Sequence, residues 1–287
     1  MSDRVEIFEV GPRDGLQNEA HAIATEKKVA LVNMLSGAGF SRIEVASFVS
    51  PKWVPQMADS RHVLAQIERP PHVSFAALTP NLRGYEAAIS ANADEIAIFG
   101  SASEGFSRAN LNKSRADAMT MFEPVCEAAS AIGVPVRGYV SCVTHCPYDG
   151  PTPSAAVELV ATRFLQMGCY EISLGDTIGA AAPADIDRLL SDVIPSVAAD
   201  RLAGHFHDTH GRAIENVEVA LNHGLRVFDA AAGGLGGCPF APGAAGNLAT
   251  ERLASYLMRE GLAPDLDLDA IEMAAEFART LKGRADV

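Results

Sequence analysis

The chain has 287 residues, of which 48% are hydrophobic and 21% are charged, a balance typical of a folded globular protein with a sizeable core. Asp and Glu outnumber Lys and Arg by 36 to 23, so the formal net charge is −13. A surface this acidic repels nucleic acid and anionic membranes, which argues against both as partners. A local basic pocket for an anionic small molecule remains compatible with it.

Neither the N-terminus nor the cysteines indicate export. The first residues, MSDRVEIFEVG, lead directly into a predicted strand without a charged and apolar leader, and no apolar run approaches the length of a membrane span. Five cysteines are scattered through the chain, at Cys126, Cys142, Cys146, Cys169 and Cys238. An odd number of widely spaced cysteines is typical of reduced thiols, so we expect a cytoplasmic protein.

Short β-rich runs alternate with longer helical patterns along the whole chain. Eight of these runs predict strands, at residues 5–10, 42–47, 73–78, 95–100, 136–142, 170–175, 202–207 and 226–231. Several helical stretches end in a glycine just before the next strand, where a left-handed cap requires one: Gly39, Gly133, Gly168 and Gly224.

Eight strands, each followed by a helix-sized segment, predict parallel pairing through right-handed crossovers. The arrangement that uses all eight is an α/β fold of the TIM (β/α)₈ barrel type. We expect one catalytic domain over residues 1–287, with a C-terminal helical extension from about residue 253. A doubly wound open sheet is the alternative, but no Gly-x-Gly-x-x-Gly follows the first strand and no linker divides the chain.

Polar and reactive residues lie in or directly after the ends of six of the eight predicted strands, whereas the strand interiors are expected to be apolar. In such a barrel the active site lies at the C-terminal ends of the strands, so these residues are expected to converge. In chain order they are Arg13, Asp14, Glu44, Arg137, Tyr139, Asp176, His205, His207, Cys238 and Asn247.

The segment GHFHDTHG contains two histidines that share one face of a strand, because His205 and His207 are two residues apart. A His-x-His pair alone is more typical of hydrogen-bonded barrel residues. Asp14 and Asn247, on either side of the barrel seam, favour a metal site instead. Two imidazoles and two side-chain oxygens suit Mg²⁺ or Mn²⁺ better than zinc.

Two further segments have more than one interpretation. Cys238 lies in the glycine-dense loop GGLGGCPFAPGAAG, which predicts a mobile lid carrying a thiol; a surface loop with an incidental cysteine is the alternative. The segment CVTHCPYDG resembles half of a zinc site, but no second half follows, so we interpret it as barrel-end structure. Trp53, in SPKWVPQMAD, is interpreted as a packing residue.

Taken together, these motifs resemble the 3-hydroxy-3-methylglutaryl-CoA lyase family. The resemblance extends from about residue 5 to residue 251 and rests on EVGPRDGLQNE, SFVSPKWVPQMAD, VRGYVSC, CYEISLGDTIG and GGLGGCPFAPGAAGNLATE. That family belongs to a metal-dependent barrel group that also contains isopropylmalate and homocitrate synthases. The GGLGGCP loop favours the lyase over the synthases.

The resemblance implies divalent-metal-dependent cleavage of 3-hydroxy-3-methylglutaryl-CoA to acetyl-CoA and acetoacetate by a homodimer. It implies that Arg13 stabilises the enolate oxygen. It also implies a Mg²⁺ or Mn²⁺ site made of Asp14, His205, His207 and Asn247, and proton-transfer and lid roles for Glu44, Asp176 and Cys238. Asp176 is our candidate for the base side of the reaction, acting through a metal-bound histidine, and His205 is also counted among the catalytic candidates.

One departure from the family pattern is visible after the eighth strand. Residues 229–234 are DAAAGG where the resemblance leads us to expect serines, so a hydroxyl contact is lost there. Four alternatives stay open: a lyase for a related branched 3-hydroxyacyl-CoA, an acetyl-CoA-dependent Claisen condensing enzyme, an aldolase-type lyase for 4-hydroxy-2-oxo acids, and a catalytically inactive barrel. The complete set of reactive residues argues against the last.

Overall fold

Eight parallel strands close into a barrel in the computed structural model, which describes residues 4–236 and 246–282. The strands are β1 (Glu6–Glu9), β2 (Arg42–Ser47), β3 (Ser74–Leu78), β4 (Glu95–Ser101), β5 (Val136–Ser141), β6 (Glu171–Asp176), β7 (Leu202–Phe206) and β8 (Val227–Ala230). Each strand pairs with its neighbours in sequence, and β1 pairs with β8 to close the barrel. The predicted TIM barrel is confirmed, and every predicted strand matches within one residue at either end.

Helices cover the outside of the barrel. They are α1 (Thr25–Ser36), α2 (Ser60–Gln66), α3 (Leu82–Ser90), α4 (Glu104–Leu111), α5 (Arg115–Ile132), α6 (Ser154–Gln166), α7 (Pro183–Val193), α8 (Ala213–Asn222), α9 (Thr250–Arg259) and α10 (Leu268–Leu281). The last helix packs against α1 and α9 and thus covers the seam where the barrel closes. Among the described helices, none combines the length and apolar character that a membrane span requires.

The helix ends follow the glycine pattern of the sequence. Gly39, Gly133, Gly168 and Gly224 have φ values of +95°, +73°, +101° and +95°, so all four adopt the left-handed conformation that was predicted for them.

The interior of the barrel differs from the apolar filling expected from the sequence. Arg137, Glu171 and Asp229 are buried there, and Arg137 forms an ion pair with each of the two carboxylates. The expectation was wrong because strands buried on both faces show no alternation in the sequence, so the inward set of residues is not marked. A charge inside the barrel is tolerated only when it is paired, as these are.

The turn after β1 positions two of the predicted site residues. The carbonyl of Val10 accepts hydrogen bonds from the N–H groups of Arg13, Asp14 and Gly15, which wraps GPRDG into one wide helical turn, Gly11–Gly15. A Cβ atom on Gly15 would lie 2.6 Å from the Cβ of Leu235, so only glycine allows this close approach to the chain after β8.

Candidate metal centre and active site

Two histidines at the C-terminal end of β7 face each other across a short gap. The Nε2 atoms of His205 and His207 lie 3.2 Å apart. Asp14, from the turn after β1, approaches the same point, and the possible ligand atoms of the three residues all lie within 4.8 Å of one another. The structure therefore brings together three of the four predicted metal ligands.

Asn247 completes this cluster from the segment before α9. Its backbone bridges to that of His207, and its Nδ2 donates hydrogen bonds to Oδ2 of Asp14 at 2.8 Å and to the carbonyl of Leu235 at 3.1 Å. Gly236 lies against this amide with a φ of +90°, and a Cβ there would be 2.8 Å from Nδ2. The amide is thus held beside Asp14, and neither hydrogen bond uses its Oδ1.

Arg13 lies next to the cluster and is held by two carboxylates. Its Nε donates to Oε2 of Glu44 at 2.7 Å, and its Nη1 donates to Oδ1 of Asp14 at 2.6 Å. The hydroxyl of Tyr139 donates to the same Glu44 oxygen at 3.1 Å. The second oxygen of Glu44, Oε1, is buried and has no hydrogen-bond partner among the described residues.

The pKa values of Asp14 and Glu44 are shifted in opposite directions by the balance between burial and the charge of Arg13. Burial opposes ionisation of Asp14, but the charge of Arg13, helped by His205, outweighs it and lowers the pKa of Asp14. Burial also dominates at Glu44, where it raises the pKa against the opposing charge of Arg13. Asp14 therefore remains an anion suited to binding a cation, while Glu44 holds a proton more readily than an exposed Glu.

The two histidines also differ in their titration. Burial, together with the charge of His205, lowers the pKa of His207 to about 4, so this imidazole is neutral at pH 7. Burial lowers the pKa of His205 as well, but its hydrogen bond to Asp229 and the charge of that carboxylate outweigh burial and raise it.

The donor set fits a divalent cation. Two imidazole Nε2 atoms aimed at one another, with a carboxylate beside them, form an arrangement that a shared cation stabilises. Nδ1 of His207 is buried and has no hydrogen-bond partner in the described part of the chain. No hydrogen bond between the described residues and that nitrogen therefore fixes the orientation of the His207 ring. Oxygen and nitrogen donors of this kind are suited to a divalent metal ion.

Asp229 is a functional candidate that sequence reasoning missed, and Arg137, expected among the polar residues at the strand ends, is its ion-pair partner. Nδ1 of His205 lies 3.0 Å from Oδ2 of Asp229, and Arg137 donates to both oxygens of that carboxylate, at 2.7 and 3.2 Å. Burial raises the pKa of Asp229, but the Arg137 charge outweighs it, so the pKa lies well below its usual range. A lone Asp inside the apolar strand VFDAA was the available signal, since a buried carboxylate requires partners.

Asp176 lies apart from the metal cluster. It is in register with Phe206, whereas His205 is in register with Gly175, so the two site candidates are on opposite faces of the sheet. Its Oδ1 accepts from the hydroxyl of Thr144 at 3.2 Å and its Oδ2 from the N–H of Ala181 at 3.0 Å. Burial raises the pKa of Asp176. Its carboxylate thus joins the segments that follow β5 and β6.

The cysteine candidates fall into two groups. Cys238 lies outside the described residues, so its predicted lid role stays a prediction. In the segment CVTHCPYDG, Sγ of Cys146 accepts hydrogen bonds from the hydroxyl of Ser103 and the N–H groups of Tyr148 and Asp149. This cysteine therefore organises the loop after β5, as expected of barrel-end structure.

A cavity of about 810 Å³ opens above the cluster, with a polar floor and an apolar wall. Its floor contains the cluster residues and Tyr139. The wall, contributed mainly by β3, β4, α4 and α5, consists of Leu78, Phe99, Phe106, Leu111 and Met121. This size and mixed lining are typical of a pocket for a small organic ligand with a few polar anchoring groups.

Trp53 lies at the mouth of this cavity rather than in the core. Its side chain is 84% exposed, so the interpretation of Trp53 as a packing residue was wrong. Trp53 lies in the loop between β2 and α2. It is the only tryptophan in the chain and offers a flat aromatic surface at the cavity entrance.

The HMGL-like family model matches residues 4–278, which include every described site residue. The chain belongs to the HMGL-like family. An HMGL-like relative from Pseudomonas aeruginosa, named 3-hydroxy-3-isohexenylglutaryl-CoA/hydroxy-methylglutaryl-CoA lyase, is 48% identical over 286 residues, covering 100% of this chain and 95% of its own.

Two solved structures of HMG-CoA lyases have the same fold as this chain over nearly their whole length. The HMG-CoA lyase from Brucella melitensis is 52% identical, with a TM-score of 0.96 over 97% of this chain and 99% of its own. An HMG-CoA lyase from Acinetobacter baumannii, in complex with coenzyme A and 3-methylmalate, is 39% identical, with a TM-score of 0.93 over 99% of this chain and 92% of its own. The resemblance to the lyase family is thus confirmed.

Proposed function

We propose that this protein cleaves 3-hydroxy-3-methylglutaryl-CoA into acetyl-CoA and acetoacetate in a divalent-metal-dependent retro-Claisen reaction. The observation that carries the proposal is the convergence of Arg13 with the Asp14, His205 and His207 cluster on the floor of one cavity. A buried cation beside a metal-type donor set is the equipment that an enolate-forming cleavage requires.

The proposed reaction starts with the removal of a proton from the substrate and ends with the addition of a proton to the product. The C3 hydroxyl loses its proton, the C2–C3 bond breaks, the hydroxyl carbon becomes the ketone of acetoacetate, and the bonding pair passes to C2 as the enolate of acetyl-CoA. A proton added to C2 then completes acetyl-CoA. Asp14, His205, His207 and Asn247 would hold Mg²⁺ or Mn²⁺, which when bound lowers the pKa of a coordinated hydroxyl.

Arg13 stabilises the enolate oxygen in this proposal. Its side chain lines the cavity, and its bonds to Glu44 and Asp14 fix the plane of the guanidinium before a substrate arrives. A preorganised cation needs little rearrangement as negative charge develops on the thioester oxygen. Lysine offers a point charge without this planar fork.

Glu44 acts through its neighbours rather than by direct contact. Glu44 is fully buried and does not line the cavity. Arg13 and Tyr139 both form hydrogen bonds to it, and both line the cavity. We therefore assign Glu44 to holding Arg13 and to exchanging a proton through the Tyr139 hydroxyl. The pKa of Glu44, raised by burial, supports this assignment.

Asp176 and Cys238 receive different roles. Because both Asp176 oxygens are bonded to Thr144 and Ala181, we assign it to positioning the loops after β5 and β6 instead of to the base side. For Cys238 we keep the role implied by the family, a thiol on a loop that closes over the cavity and delivers a proton. A closing loop also excludes water from the enolate.

A lyase acting on longer-branched 3-hydroxyacyl-CoA esters is a second candidate. The apolar wall of Leu78, Phe99, Phe106, Leu111 and Met121 favours it, because a methyl branch needs far less apolar surface. The Pseudomonas relative is named for both an isohexenyl and a methyl substrate.

We also propose a cytoplasmic homodimer. The four described cysteines, Cys126, Cys142, Cys146 and Cys169, are free thiols buried in the fold, which suits a reducing compartment. The dimer is carried over from the family resemblance, and light scattering on the purified protein tests it.

The test of the activity is a product assay on protein stripped of metal. Mg²⁺ or Mn²⁺, a thiol reductant and 3-hydroxy-3-methylglutaryl-CoA are added, and acetyl-CoA and acetoacetate are measured by mass. The proposal predicts both products and a dependence on added metal. Turnover of the isohexenyl ester alone would favour the second candidate. Formation of a condensation product from acetyl-CoA and a 2-oxo acid, without cleavage, would overturn both.

A further inference from the structure

A line of alternating charges runs through the barrel interior below the metal cluster. We call Asp229, Arg137, Glu171 and Arg42 the charge column. Arg137 donates to Asp229 at 2.7 Å and to Glu171 at 2.6 Å, and Arg42 donates to Glu171 at 3.1 Å. All four side chains lie at most 13% exposed, so water screens these pairs little.

Aromatic rings fix the middle of the column. The Arg137 guanidinium lies 4.2 Å from the ring centre of Phe8 and 4.9 Å from that of Tyr139. Arg42 contacts Phe8 as well, at 4.9 Å. Because Arg137 is stacked and bidentate at once, its planar fork holds Asp229 in one orientation.

The upper end of the column meets a proposed metal ligand. Oδ2 of Asp229 lies 3.0 Å from Nδ1 of His205 and accepts from the hydroxyl of Ser173 at 2.7 Å. A carboxylate at this distance keeps the Nδ1 proton of the ring and leaves Nε2 with its lone pair. That Nε2 is the atom that faces His207.

We infer that Asp229 is a positioning residue for the metal centre, which fixes the tautomer and ring orientation of His205, and that Arg137 holds Asp229 for this task. The inference rests on the proposed metal centre. It also explains why charges occupy an interior that apolar side chains could fill. An apolar residue at either position would pack in the barrel but would leave His205 free to rotate or to present the wrong nitrogen.

The test is Mn²⁺ binding, measured by electron paramagnetic resonance on the purified, metal-stripped protein without substrate. Asp229→Asn is expected to weaken Mn²⁺ binding about 10- to 100-fold, the usual effect of removing a partner of a ligand histidine. Ser173→Ala, which removes one donor to the same oxygen, is expected to give a smaller loss of a few fold. Circular dichroism and thermal melting confirm that each variant is folded.

Two further variants separate positioning from stability. The double change Arg137→Met with Asp229→Leu removes both charges of the pair, so no unpaired ion is left in the barrel. Its Mn²⁺ affinity is expected to stay as low as that of Asp229→Asn even where the melting temperature recovers. Glu171→Gln is the matched control, since it disturbs Arg137 from the other side without touching Asp229. Near wild-type Mn²⁺ binding is expected there.

The outcomes distinguish this inference from the proposed function. Wild-type protein that binds no Mn²⁺, or a His205→Ala variant that binds it normally, would remove the metal centre and the inference with it. A metal centre that depends on His205 but is unchanged in folded Asp229→Asn and double-variant proteins would overturn the inference alone. Loss of binding in Glu171→Gln equal to that in Asp229→Asn would also overturn it, because the effect would then follow general damage to the column.

Discussion

The floor and the wall of the cavity differ in what holds their side chains in place. On the floor, Arg13, Asp14 and His205 each make at least two polar contacts with neighbouring side chains, and these contacts fix their orientation. The wall is apolar and is set by shape, with side chains such as Phe99 and Phe106. We therefore expect changes to the floor to alter the rate of turnover, and changes to the wall to alter which acyl group the protein accepts.

The largest effect is expected on the floor, from Arg13→Lys. The substitution keeps the charge but loses the planar fork that bonds Glu44 and Asp14 together. We expect kcat to fall about 100- to 1,000-fold, the usual loss when one donor to a developing oxyanion is removed, with little change in KM. Steady-state kinetics on 3-hydroxy-3-methylglutaryl-CoA measures this. Near-normal kcat would contradict the role of Arg13 in stabilising the enolate.

A pH-dependent effect is expected at the seam beside the floor, where Glu9 joins β1 to β8. Its Oε1 accepts from the N–H groups of Gly11 and Ala232, at 2.7 and 3.1 Å, and its Oε2 from the Thr250 hydroxyl at 2.6 Å. Burial raises the pKa of Glu9 to about 7 from 4.5. The folded state therefore keeps a proton that the unfolded state releases, and this contribution is complete below pH 4.5 and lost as the pH rises to about 7.

Glu9→Gln replaces the protonated form and removes this titration. Between pH 5 and 8 we expect the wild type to lose on the order of 3 kcal/mol more unfolding free energy than the variant. Urea unfolding at several pH values measures the difference. Parallel curves for the two proteins would show that Glu9 titrates alike in the folded and unfolded states.

A smaller effect is expected at the wall, from Phe106→Trp. The larger ring takes space from the cavity, so an ester with a long branch should lose about 10-fold in kcat/KM, while the methyl ester changes less than threefold. Competition between the two esters in one reaction gives this ratio directly. An equal loss for both would mean that Phe106 does not discriminate between branches.

The smallest effect is expected at the rim, from Trp53→Ala. A flat ring that is 84% exposed offers a stacking surface for part of the CoA moiety, and such a contact contributes about 0.5–1.5 kcal/mol. We expect KM to rise about 2- to 10-fold with kcat unchanged. Because Trp53 is the only tryptophan, its fluorescence in the wild type should change when coenzyme A binds. Unchanged fluorescence at saturating coenzyme A would exclude contact.

The features that the sequence predicted correctly are those that local sequence patterns determine. The strands, the left-handed glycine caps and the convergence of Asp14, His205 and His207 all follow from short-range periodicity together with the rule that barrel strand ends meet. Asn247 also lies in the cluster, where its side-chain amide donates to Asp14.

The remaining features depend on which face of a strand points inward, and a strand buried on both sides does not show this. Asp176 was expected at the metal cluster but lies on the outer face of β6, in register with Phe206. Asp229 was overlooked for the same reason, and the burial of Arg137 beside it inside the barrel was not expected. Trp53 was wrongly interpreted as a packing residue because its exposure depends on a loop path that periodicity does not predict.

We propose that cleavage occurs at the metal centre formed by Asp14, His205, His207 and Asn247. The most direct test is to titrate Mn²⁺ into metal-stripped protein and to measure bound Mn²⁺ and 3-hydroxy-3-methylglutaryl-CoA cleavage in the same samples. We expect activity to rise in proportion to one bound Mn²⁺ per chain, and His205→Ala to lose metal binding and cleavage together. Full cleavage at negligible occupancy, or complete occupancy without cleavage, would contradict it.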